Sequence, residues 1–156
     1  MSIIPDSVPT GAIRYNTDSN KMECWIGDKW MQISVSESAP TSGRGIVGGG
    51  DGASNIIQYN TIATTGNSID FGDLDTGVDW PAAVGSRTRG VFGGGRTPTN
   101  IDKLQTITIA STGNATDGGN LTSAKREMGG CSDQTRGCYG GETLGGSDDI
   151  DYITIA

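Results

Sequence analysis

The sequence predicts an all-β protein, and three observations carry that expectation. Short apolar and β-branched runs alternate with turns rich in Gly, Asn, Asp and Ser. No segment sustains a helical apolar period; the nearest to one, LTSAKREMGG at 121–130, meets Gly129 and Gly130 before a helix could lengthen. One phrase also returns three times, as SGRGIVGGG from Ser42, TRGVFGGG from Thr88 and TRGCYGG from Thr135.

In chain order, the elements begin with a three-stranded meander in residues 1–35, built from AIRYNT, KMECWI and KWMQI and joined by DSN and GD turns. Tyr15, Trp25 and Trp30 are concentrated there, in a segment too small to bury them alone. Either they pack against the chain's own repeats, or they form a docking interface to another protein, since aromatic side chains dominate interface energetics. Residues 36–43, SESAPTSG, read as a linker that would let the module dock independently.

Residues 44–156 hold the repeat, with units starting near 44, 89 and 136. Arg44, Arg89 and Arg136 are spaced by 45 and 47 residues, and the three TIA triplets by 47 and 46. TIATTGNSIDFGDL at 61–74 aligns without a gap to TIASTGNATDGGNL at 108–121. In the aligned strands IQYNTIA, LQTITIA and IDYITIA, one face carries Ile57, Leu104 and Ile150, then Tyr59, Thr106 and Tyr152. The other carries Asn60, Ile107 and Ile153, then Ile62, Ile109 and Ile155. A strand that is apolar on both faces is covered on both sides, which suits a propeller blade held between neighbouring blades. Val84 and Cys131, and likewise Ile109 and Ile155, are then expected in similar surroundings.

The glycine runs fit a structural role, because Gly allows close backbone approach and tight bends where strands converge. None of the four lysines stands in a G-x-x-x-x-G-K-[ST] setting, and GGGDGASN at 48–55 is not G-x-G-x-x-G. Cys131 and Cys138 align with Val84 and Val91, so both are expected as small buried hydrophobes facing each other across a SDQTRG turn, without a disulfide. Cys24 alternates with Trp25 in the meander.

Composition narrows the chemistry. The formal charge of −7 and pI of about 4.4 repel phosphate backbones and anionic head groups, so no nucleic-acid partner is expected. No run approaches the ~20 apolar residues of a membrane helix, and MSIIPDSVPTG has no secretion-signal pattern, so no membrane insertion is expected and synthesis is placed in a cytoplasm. The absence of histidine removes Ser-His and Cys-His nucleophile pairs and imidazole metal ligands. The acidic turns DFGDLD at 70–75 and GSDDID at 146–151 offer oxygen ligands, but neither has EF-hand spacing. No enzyme, cofactor or metal is therefore expected. Arg44, Arg89 and Arg136 would circle a common axis as candidate ligand-binding residues for an anionic sugar, or else brace neighbouring blades through carboxylates or carbonyls.

Two units and part of a third fall short of the four to eight blades of a typical propeller. Open edges invite aggregation, so something must cover them: the meander folding back, neighbouring subunits in a ring, or three units about a pseudo-threefold axis. A homo-oligomer, with a trimer as the favoured size, is the expectation.

RGVFGGG, IDYITIA and STGNATDGGNLTSAKREMGGCS resemble the tandem kelch-like repeats in virion proteins of tailed bacteriophages, marine cyanophages especially. SVPTGAIRYNTDSNKMECWIGDKWMQI, residues 7–33, is similar to a short β-module that precedes such repeats in phage structural proteins. The resemblance implies a non-enzymatic virion structural protein, displayed at the virion surface after assembly in the host cytoplasm, with the major capsid protein or a tail component as partner. A capsid decoration or knob docked through the N-terminal module is the first expectation, since the chain lacks a fibrous stalk. The alternative is a tail-fibre or adhesin module whose loops at 51–55, 96–100 and 142–149 bind host surface glycan.

Overall fold

The computed structural model describes residues 8–33, 43–142 and 148–155. Among the described residues all regular structure is strand, arranged in four small antiparallel sheets. The chain divides into two compact units, Met1–Ser38 and Ala39–Ala156. Apart from Gly43, the expected linker at 36–43 lies outside the described residues.

The first unit is a meander of β1 (Ile13–Asn16), β2 (Lys21–Trp25) and β3 (Trp30–Gln32), paired in that order. Its first turn is held by the Asn16 side-chain oxygen, which accepts the backbone N–H of Asp18 at 3.0 Å and of Ser19 at 3.2 Å. Asn20 closes it in the left-handed region at φ 60°, a conformation Asn tolerates better than most residues.

The second unit contains three sheets. The first is β4 (Arg44–Gly48), β5 (Ile56–Thr61) and β6 (Ile69–Asp73). The second is β7 (Ala82–Gly85), β8 (Arg89–Gly93), β9 (Lys103–Thr108) and β10 (Thr116–Asn120). The third is β11 (Gly129–Ser132), β12 (Arg136–Gly140) and β13 (Ile150–Thr154). The sequence repeat is also a repeat of register: Arg44 pairs with Thr61, Arg89 with Thr108 and Arg136 with Thr154. Val84 opposes Val91, just as Cys131 opposes Cys138. The first sheet thus matches β8 to β10, and the third matches β7 to β9.

Two cores hold the three sheets together. Ile57, Phe71, Leu74 and Val78 join Phe92 and Ile107 between the first and second sheets. Ala82, Val84, Val91, Leu104 and Leu121 join Tyr139 and Ile155 between the second and third. The middle sheet is therefore covered on both faces, as its alternation requires. At each junction an aromatic ring lies over a glycine. A Cβ on Gly48 would stand 2.9 Å from Phe92 Cε1, and one on Gly93 would stand 2.9 Å from Tyr139 Cε1. The Tyr139 hydroxyl, its pKa pushed up by burial, donates to the Val91 carbonyl at 3.0 Å.

Double coverage does not extend to the outer sheets. Leu104 is 3% exposed, while its repeat counterpart Ile150 is 69% exposed. Phe92 is 4% exposed, and its counterpart Val47 is 72% exposed. The expectation of similar surroundings thus holds for strand pairing and fails for burial. Val84 is buried under the third sheet, whereas Cys131 is exposed, since among the described residues of this unit no further sheet lies over it. Ile155 is buried and Ile109 only half-buried. Repetition sets which face a side chain takes; coverage needs a neighbour.

Candidate functional site

Register divides the aromatic cluster of the first unit between two faces. Ile13 opposes Cys24, Tyr15 opposes Met22, and Cys24 opposes Met31, so these five side chains share one face of the meander. The Ile33 N–H donates to the Met22 carbonyl at 2.8 Å, which places Ile33 beside them. Ile13, Tyr15, Met22, Met31 and Ile33 are all exposed. Trp25 and Trp30 oppose each other on the other face, with ring centroids 5.4 Å apart. Arg14 lies 4.1 Å from the Trp30 ring centroid and pairs with Glu23 at 2.8 Å. Hydrogen bonds from Asn16 and Arg14 lower the Glu23 pKa. The structure therefore does not bring Tyr15, Trp25 and Trp30 together. The face with the contiguous exposed apolar surface is the one carrying Tyr15, and its other members are aliphatic or thioether side chains that an aromatic count passes over.

The repeat arginines take equivalent places with different partners. Arg44 donates from Nη1 to the Ile109 carbonyl, in the turn just after β9, at 2.6 Å and stacks on Tyr59, 4.5 Å from the ring centroid. Arg89 lines a cavity of about 290 Å³ with Thr106, Thr108, Asp117, Thr154 and Ile155. Arg136 is exposed and stacks 5.2 Å from the Tyr152 centroid. The Arg89 cavity offers one guanidinium, several hydroxyls and a single carboxylate. That set can hold a polyhydroxylated or anionic group; glycoside hydrolysis uses two carboxylates.

One feature the sequence reading missed is Trp80, exposed and in the left-handed region at φ 49°. Arg96 and Arg126 approach its ring to 5.0 and 5.2 Å, and each guanidinium has its own acid, Asp79 for Arg96 and Glu127 for Arg126. Its aligned counterpart Glu127 has φ 55°, so the strained turn belongs to the repeat. A signal existed in the alignment of DWP with REM.

Of the acidic turns, Asp75 pairs with Lys103, and Asp70 is exposed opposite Gln58. Among the described residues no group of three or more His, Cys, Asp or Glu side chains is placed to hold a metal ion. No helix there is long and apolar enough to cross a membrane. Loop 51–55 is tied down by the Ala53 N–H, which donates to Asp79 Oδ1 at 2.6 Å. Loop 142–149 lies mostly outside the described residues. Compared with protein-family models and with curated proteins, the sequence matches none.

Proposed function

We propose that this chain is a non-enzymatic structural protein of a bacteriophage virion, a decoration or knob on the capsid surface. It docks through the N-terminal meander and projects a stack of kelch-like, propeller-blade-like sheets that neighbouring subunits complete. The observation that carries this reading is the apolar face of Ile13, Tyr15, Met22, Met31 and Ile33, exposed on a module of three short strands. A surface of that kind is a site for a partner, and the resemblance of residues 7–33 to a phage β-module supplies the class of partner, another virion protein. The docking residues are accordingly Tyr15 and its same-face neighbours, with Trp25 and Trp30 holding the module's other face.

A second reading is supported by the Arg89 cavity, whose hydroxyls and guanidinium suit a host-surface glycan and hence a tail-fibre or adhesin role. Copy number separates the two: hundreds per particle fit a capsid ornament, and a few to a few tens fit a fibre. Docking is tested by particle incorporation. Deleting residues 1–35, or replacing Tyr15 and Met31 with lysine, is expected to leave a β-rich protein that no longer joins the particle. Undiminished incorporation would defeat the docking assignment.

A further inference from the structure

Among the described residues the second unit leaves two sheet faces open, and they are the two halves of a contact the unit already makes twice. At the first junction the face of the first sheet that carries Ile57 and Gly48 meets the Phe92 and Ile107 face of the second. At the second junction the equivalent side of the second sheet, carrying Leu104 and Gly93, meets the Tyr139 and Ile155 face of the third. What remains uncovered is the third sheet's version of the former and the first sheet's version of the latter.

On the third sheet that face consists of Cys131, Cys138, Gly140, Ile150, Tyr152 and Arg136. Gly129, Gly140, Ile150 and the two cysteines line an apolar groove of about 480 Å³. Gly140 is the counterpart of Gly48 and Gly93, yet a Cβ on it would meet nothing closer than Ile150 Cγ1 at 3.6 Å. Among the described residues no ring fills the place that Phe92 and Tyr139 fill elsewhere. On the first sheet the open face carries Val47, Gln58, Asn60 and Ile62, with Val47 and Ile62 at 72% and 71% exposure.

The departures of these faces from the repeat are complementary. The third sheet has gained bulk, with Tyr152 where the second has Thr106. The first sheet has lost it, with Val47 where the others have Phe92 and Tyr139, and Asn60 where they have Ile107 and Ile153. Charge agrees as well: Arg136 stands on the one face, and Asp70, opposite Gln58, on the other. We propose that the open face of the third sheet packs on the open face of the first sheet of a second copy of this chain. Val47 then enters the groove over Gly140, and Arg136 reaches the Ile62 carbonyl of that second copy, as Arg44 reaches the Ile109 carbonyl within one chain. Because the two faces differ, the contact is head-to-tail, and it yields a ring where the rotation closes and a filament where it does not.

The proposal rests on the reading that neighbouring subunits complete the sheets and adds which face meets which. It is tested on the full chain, its Val47→Lys and Ile150→Lys variants and their equimolar mixture, by sedimentation over a concentration series. Both replaced side chains are exposed, so circular dichroism, and melting at a dilution where the wild type is dissociated, should match the wild type; Ile62→Lys and Tyr152→Lys serve as a second pair. The wild-type chain is expected to assemble and each variant alone to remain monomeric. The mixture should form a dimer and nothing larger, since one intact face of each kind survives. Alkylation of Cys131 and Cys138 should slow on assembly. A wild-type chain monomeric at every concentration would overturn both the proposal and the reading beneath it, whether its two thiols react freely or are shielded by the N-terminal module. Assembly broken by Ile150→Lys but untouched by Val47→Lys would mean that third sheets pair with each other and would overturn the head-to-tail contact alone.

Discussion

Gly93 and Gly140 occupy the same repeat position, and their surroundings predict opposite responses to the same change. A Cβ on Gly93 would stand 2.9 Å from Tyr139 Cε1 and 3.1 Å from Leu104 Cδ2, both on buried side chains that cannot retreat. Overpacking of that kind costs about 1–3 kcal/mol. Gly140 has ordinary van der Waals room and no left-handed φ, so Gly140→Ala should fall within about 0.5 kcal/mol of wild type. Urea denaturation of the two alanine variants at high dilution measures the difference; equal destabilisation would contradict the ring-over-glycine packing. Positive φ matters elsewhere in the same runs. Gly94 and Gly95, at 63° and 106°, turn the chain so that the Gly95 N–H reaches the Lys125 carbonyl at 2.8 Å.

Between elements, each junction has a polar clasp that spans the same distance in sequence. Gln105 accepts the Thr76 N–H at 2.7 Å, and Asp151 accepts the Thr122 N–H at 2.9 Å, both across 29 residues. At the position where the first unit of the repeat has buried Val78, the next has Lys125, 2% exposed, whose Nζ is 3.0 Å from Asp151 Oδ2. Burial pushes the Asp151 pKa up, but hydrogen bonds from Thr122 and Lys125 outweigh it, and the net direction is down. A carboxylate with a depressed folded pKa contributes stability above its unfolded pKa of about 3.9 and loses it as pH falls through the lower folded value. Acid unfolding below about pH 4 should therefore be less steep in Asp151→Asn than in wild type. At neutral pH this substitution leaves a buried ammonium whose one carboxylate among the described residues is Asp149 at 3.9 Å, and the expected cost is about 3 kcal/mol, the low end for breaking a buried pair. Thermal melts at pH 7 and pH 3 check both statements; a variant as stable as wild type at pH 7 would remove the clasp from the account.

At the scale of the whole molecule, the division into two compact units predicts separable stability. Among the described residues neither core includes one from the first unit, so removing residues 1–35 should leave the melting transition of the repeat region within a few degrees of its place in the full chain. A collapse of that transition on deletion would show that the repeats depend on the meander. Within the second unit the middle sheet has two neighbouring sheets and each of the other two has one.

Strands, turns and repeat register were all legible in the sequence, because they depend on local chemistry: period-two alternation, Gly and Asn at turns, and near-identical strings at a fixed offset. The pairing of Cys131 with Cys138 followed from the same rule. The separation of Tyr15 from Trp25 and Trp30 was not legible, because it turns on the register between strands and a shift of one residue reverses every side chain. Nor was the contrast between Leu104 and Ile150, since an apolar residue at a repeat position states only a preference for cover. Whether cover arrives depends on which sheet stacks against it, and that is settled by the packing of parts far apart in the chain.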